Sequence, residues 1–155
     1  MEEQRMHKKQ KESKTWDTMT LAERGEYMKQ AEESIRQYGN KELLLLFCLM
    51  KETGIRFGDI LELRTENLQG KELLIIEKKY GGVDYYRNPD GSLPVISETT
   101  AELLAPGEDG KFFHHDKRYY IVMLRKAFPN KEFRFHYLRQ YVMDKRRMES
   151  GFKIF

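Results

Sequence analysis

Polar and apolar positions divide the chain into segments of different period. Residues 1–14 hold no apolar run and are dense in Lys and Glu, which predicts a loose polar tail or linker. Thr20 and Glu23 form a T-x-x-E capping box, so a helix is expected over Leu21–Tyr38, stopped by Gly39-Asn40. Lys41–Glu52 is apolar nearly all round, the mark of a buried central helix, with Gly54 placed to cap its C-terminus. A short helix over Gly58–Arg64 should turn Ile60, Leu61 and Leu63 to the core.

The middle of the chain changes period. Asn67-Leu68-Gln69-Gly70 is turn chemistry, and ELLIIE after it reads as an aliphatic strand. Gly81-Gly82 breaks the chain, VDYY resumes as a strand, NPDG turns again, and LPVIS supplies a third strand. Helical spacing then returns. Ser97 is placed to cap SETTAELL, and Asp116 to cap a helix through YYIVMLRKAF that Pro129 stops. A last helix is expected from Phe135 to Glu149, with Gly151 as its stop. The pattern is α+β: a mainly helical domain, residues 15–155, carrying one small three-stranded antiparallel sheet.

Composition narrows the class. With 155 residues the chain suits one domain with a real core. The net charge of +3 is too small to argue for nucleic acid by itself, but its distribution is uneven. The segment FRFHYLRQYVMDKRRM carries Arg134, Arg139, Lys145, Arg146 and Arg147 against one acid, Asp144. Cys48 is the single cysteine and reads as a core thiol, so no intrachain disulfide is expected. The first residues do not resemble a signal peptide, and LLLLFCLM is too short to span a bilayer. A soluble cytoplasmic protein without a membrane partner is the expectation.

Several residues invite chemistry. His136 and Arg139 stand three apart in HYLR, which puts them on one face of a helix, while Leu138, Tyr141 and Val142 cover another. That face is either a solvated basic surface or an anion-binding one. Lys145-Arg146-Arg147 is either a solvated helix end or a set of phosphate contacts. Tyr85, Tyr86 and Arg87 either touch a ligand or simply pack. His114-His115-Asp116 reads as a loop and helix cap rather than a metal site, because adjacent histidines rarely point the same way.

The order of the pieces resembles the catalytic domain of the tyrosine recombinases, the phage integrase family. The resemblance covers residues 15–151. Its first motif is TGIRFGDILEL, with Asp59 where the family has Glu. The family's lysine in a turn after a strand is matched by Lys79, with Lys78 as the alternative, and LPVIS matches the segment that closes that hairpin. The helix motif appears as His136-Tyr137-Leu138-Arg139-Gln140, with Gln140 in place of a second His, and the downstream glycine as Gly151. The family's further His or Trp and its nucleophilic tyrosine follow that glycine, and this sequence ends at Phe155. The resemblance therefore implies the front part of a catalytic domain.

It also implies roles. Arg56 and Arg139 would grip the non-bridging oxygens of a DNA phosphate through bidentate forks, which lysine cannot supply. Lys79 would protonate the leaving oxygen, His136 would assist at the phosphate, and Asp59 would buttress the site. Lys78, Arg87, Arg146 and Arg147 would contact DNA. No metal or other cofactor is implied; the partners would be duplex DNA and, on it, further copies of the chain. A non-catalytic DNA-binding or regulatory relative on the same fold is the second reading. A plain helical interaction domain is the third. The competing role for Arg56 is an ion pair with Asp59 or Glu62.

Overall fold

The computed structural model describes residues 15–130 and 132–151, so the expected tail over residues 1–14 and the end of the domain beyond residue 151 lie outside the described residues. Helix α1, Leu21–Tyr38, begins at the expected capping box. The Thr20 hydroxyl accepts from the Glu23 N–H at 3.1 Å, and the Glu23 carboxylate accepts from the Thr20 N–H at 2.8 Å. Tyr27, Met28, Ala31 and Ile35 repeat at helical spacing and form its buried face.

Helix α2, Lys41–Thr53, runs through the centre of the core. Asn40 caps it by accepting from the Leu43 N–H at 3.0 Å. Leu43, Leu45–Met50 and Thr53 are all buried, because α1, α5 and α6 pack around it. Gly54 ends it in the left-handed region, at φ 72°. A Cβ there would also meet Val142 and Met143, so the same glycine lets α6 approach.

Helix α3 is one turn, Phe57–Ile60, and not the expected Gly58–Arg64. Arg64 leaves the helix to bridge Lys111, and the Thr65 N–H donates to the Gly110 carbonyl at 2.9 Å. This long-range pairing outcompetes a second helical turn. Leu63 is still buried as expected.

The sheet is smaller than expected. It has two antiparallel strands, β1 Leu68–Gln69 and β2 Glu72–Leu73, joined across Gly70. VDYY and LPVIS contribute isolated bridges, Ile76 to Tyr85 and Glu72 to Val95, rather than strands. Pro94 has no N–H for a ladder. Asn88 folds the intervening chain back on itself, donating from its N–H to the Ser92 carbonyl at 2.7 Å. The inward alternation survives: Leu73 and Ile75 are buried and Ile76 is exposed.

Helix α4, Glu98–Ala101, is a single turn capped by Ser97, shorter than SETTAELL because tighter turns lead into Pro106-Gly107. Helix α5, Lys117–Ala127, is capped by Asp116, whose carboxylate accepts from the Tyr119 N–H at 3.0 Å. Helix α6, Phe135–Gly151, closes the domain across α2 and α1. The architecture is α+β, mainly helical with one small antiparallel sheet. Among the described residues no helix is long and apolar enough to cross a membrane.

Candidate anion-binding site

The last carbonyls of a helix have no intrahelical partners and carry the negative end of its dipole. At the end of α2 they meet two arginines of α6. Arg139 Nη1 donates to the Gly54 carbonyl, and Arg146 Nη2 reaches the Thr53 carbonyl at 3.5 Å and Asn88 Oδ1 at 3.1 Å. The chain leaving α2 is pinned as well: the Thr53 hydroxyl donates to the Leu49 carbonyl at 2.6 Å and accepts from the Ile55 N–H at 3.2 Å. Ile55 is fully buried. Arg56, next in line, therefore leaves the core from a fixed backbone.

Its guanidinium meets two groups from the sheet region. Arg56 Nη1 forms an ion pair with Glu77 Oε2 and lies 3.4 Å from the Tyr86 hydroxyl. Tyr86 donates that hydroxyl to Asp59 Oδ2 at 2.6 Å. Arg139 Nη2 lies 3.9 Å from the same Glu77 Oε2. Two arginines from distant parts of the sequence thus converge on one carboxylate oxygen. All three side chains are partly exposed: 23 % for Arg56, 26 % for Glu77 and 17 % for Arg139. Burial works against the Arg56 charge, but the hydrogen bonds to Glu77 and Tyr86 outweigh it and hold its pKa above the ordinary value. Burial, then the hydrogen bond to Asp59, pushes the Tyr86 phenol up to about 12. Tyr86 is therefore a neutral donor that couples Asp59 to Arg56.

The other candidates lie on the 3₁₀ turn after Glu77, on α6 and on the turn after Tyr86. Lys78 and Lys79 sit exposed in the 3₁₀ turn Lys78–Tyr80, which follows Glu77 directly. Lys78 forms an ion pair with Glu62. His136 is exposed in the first turn of α6, next to Phe135, whose ring centroid is 4.6 Å from that of Phe57. Arg56 and the first turn of α6 are thereby held together. Arg87 is exposed and staples its own turn through the Gly91 carbonyl at 2.9 Å. Arg147 is exposed and pairs with Asp144 at 3.4 Å.

The ion pair that competes with a phosphate role for Arg56 forms with Glu77 rather than with Asp59 or Glu62: Asp59 bonds Tyr86, and Glu62 holds Lys78. Glu77 is the site residue that sequence reasoning missed; Tyr86, weighed there as a ligand contact or a packing residue, is buried and bonded to Asp59 and Arg56. A signal for Glu77 existed, because strand alternation puts residues 73, 75 and 77 on the inward face.

The tyrosines of α6 serve another face. Tyr137 stacks on Trp16 at 4.5 Å, and Tyr141 lies against Gly25. Gln140 accepts from the Trp16 indole N–H at 2.7 Å, so it anchors the core. At the opposite end of α2, His114 lies between Glu42 and Asp109, while His115 stacks on Tyr119. Among the described residues no group of three or more His, Cys, Asp or Glu side chains is arranged so that it could hold a metal ion. Comparison of the chain with protein-family models, with curated proteins and with solved structures finds no match.

Proposed function

We propose that the chain is a duplex-DNA-binding domain of tyrosine-recombinase type, with Arg56 and Arg139 as the ligands of one backbone phosphate. The observation that carries this reading is their convergence on a single carboxylate oxygen. A carboxylate and a phosphodiester both present anionic oxygens to planar guanidinium donors, so a pair that meets one can meet the other. Arg56 is fixed by Tyr86 and Asp59, and Arg139 by the end of α2, which limits the reorganisation needed on binding. On this reading the arginines neutralise charge on the non-bridging oxygens and His136 assists at the phosphate; Lys79 would protonate the leaving oxygen only as the hydroxyl of a nucleophilic tyrosine, which the resemblance matches to no residue of this sequence, forms its bond to phosphorus. Lys78 and Arg146 extend the contact along the backbone, and Arg87 and Arg147 supply outer contacts.

One observation favours a non-catalytic relative as the second reading. Tyr86 is the tyrosine whose hydroxyl meets Arg56, and that hydroxyl is buried and already donated to Asp59. Tyr137 and Tyr141 pack on Trp16 and Gly25.

Fluorescence anisotropy with a labelled duplex at low salt tests DNA binding. Binding should weaken steeply as salt rises, because phosphate contacts release counterions. Arg56→Ala and Arg139→Ala should each weaken it. Absence of binding at low salt would remove both DNA readings. Incubation with a nicked suicide duplex tests for chemistry: a covalent adduct would overturn the non-catalytic reading, whereas binding without an adduct is expected of both readings, because no tyrosine of this sequence matches the family's nucleophile.

A further inference from the structure

We propose that Glu77 is an internal competitor for the phosphate site: its carboxylate occupies the position of a phosphate oxygen and must leave before the arginine pair takes an external anion. The inference rests on reading Arg56 and Arg139 as phosphate ligands. Three observations carry it. Both guanidiniums address the same oxygen, Oε2, so Glu77 and an incoming anion cannot hold the pair together. The Glu77 side chain is 26 % exposed, so displacement requires side-chain rotation and no opening of the core. Its backbone stays anchored meanwhile, since the Glu77 N–H donates to the Asp84 carbonyl at 2.9 Å.

The position of Glu77 adds a consequence. The chain passes from it directly into the Lys78–Tyr80 turn. Among the described residues, ion pairs flank this turn on both sides: Glu77 with the arginines and Lys78 with Glu62. The second is more than half exposed at both partners and contributes little. When an anion displaces Glu77, the stronger restraint on the lysine turn is lost. Anion entry and delivery of Lys79 are thus coupled through one residue. Ligand affinity is lowered by the fraction of molecules in which the site is open. A site closed by Glu77 about nine-tenths of the time would bind about ten-fold more weakly than an open one.

Glu77→Gln removes the competing charge and keeps the shape of the side chain. The experiment titrates inorganic phosphate against wild type, Glu77→Gln and the Glu77→Gln/Arg139→Ala double variant, read by thermal shift. In parallel, duplex DNA is titrated by anisotropy. Glu77→Asp, whose carboxylate is withdrawn by one methylene, is run beside them and carries the comparison if the glutamine variant is poorly folded. We expect phosphate to stabilise Glu77→Gln with an apparent affinity about ten-fold above wild type, the aspartate variant to fall between, and the double variant to lose the gain. Equal phosphate responses in wild type and both single variants would overturn the competition. The duplex arm judges the underlying reading separately. If phosphate affinity rises but neither wild type nor variant binds duplex at low salt, Glu77 is a competitor in a site for some other phosphate, and the DNA reading falls.

Discussion

The two ends of α2 carry opposite charge arrangements. At its N-terminus two carboxylates, Glu42 and Asp109, flank one imidazole, His114. At its C-terminus two guanidiniums, Arg56 and Arg139, flank one carboxylate, Glu77. Each arrangement suits the helix dipole, with an acid in the first turn and cations on the last carbonyls. Their capacities differ. The N-terminal cluster sets two carboxylates against one imidazole, an excess of acceptors. The C-terminal cluster sets two guanidiniums against one carboxylate. On the proposed reading, one end of the helix holds the fold and the other also holds a ligand.

The sharpest way to break the C-terminal arrangement is Gly54→Ala. A non-glycine residue at φ 72° costs about 1–2 kcal/mol. The added Cβ would lie 2.8 Å from Met143 Cε and 2.9 Å from Val142 Cγ1, an overpacking of about 1–3 kcal/mol. We predict a loss of about 3 kcal/mol in urea unfolding, with weakened anion binding as α6 is pushed off. A loss under about 1 kcal/mol would mean that α6 does not depend on this close approach.

The N-terminal cluster should respond in stability alone. Glu42 accepts from the Tyr120 hydroxyl at 2.5 Å and from the His114 N–H at 3.1 Å, besides pairing with the ring. Glu42→Ala leaves the buried Tyr120 and the His114 N–H without that partner, a loss of about 2 kcal/mol. DNA or phosphate affinity should stay within about two-fold of wild type, after correction for any unfolded fraction. Arg139→Lys should do the reverse. It keeps a charge and one donor for the Gly54 carbonyl but loses the planar fork, so binding should drop about ten-fold with little change in stability. If the two variants fail to separate in this way, the ends of α2 do not divide fold from ligand.

How much of this was legible in the sequence follows the range of the forces involved. The boundaries of α1 and α5 were legible because Thr20, Glu23 and Asp116 act within one turn of themselves. The burial of α2 was legible from its unbroken apolar run. The lengths of α3, α4 and the sheet were not, because the Arg64–Lys111 bridge and the Asn88 turn are set by chain pairing elsewhere. Motif order suggested that Arg56 and Arg139 meet. What they meet was hidden, because a Glu ending an aliphatic strand looks like a solvated strand end. Only the inward alternation through Leu73 and Ile75 distinguishes it.

The smallest effect concerns pH and isolates the N-terminal cluster. His114 Nδ1 is 3.0 Å from Glu42 Oε2, and Nε2 is 3.5 Å from Asp109 Oδ1, so both ring nitrogens face carboxylates. The hydrogen bond to Glu42, ahead of any desolvation, raises the His114 pKa above 6.5. Burial alone would raise the Glu42 carboxyl, but hydrogen bonds from Tyr120 and His114 outweigh it and hold it below 4.5. The folded imidazole binds its proton more tightly than the unfolded one. Its contribution is therefore full below 6.5 and is lost as pH rises through the raised folded value. The Glu42 contribution is present above 4.5 and is lost as pH falls through the lowered value. The two together favour the fold most between 4.5 and 6.5. Because the ring is 34 % exposed, solvent screening keeps the alkaline loss small, no more than about 2 °C in Tm. His114→Gln should remove that alkaline loss and weaken the acid limb without abolishing it, because the Tyr120 hydroxyl and the residue-114 N–H still donate to Glu42. The measurement is the difference in Tm between wild type and variant across about pH 5 to 8, which cancels titration of the other histidines. A difference independent of pH would show that His114 packs on Glu42 without sharing a proton equilibrium with it.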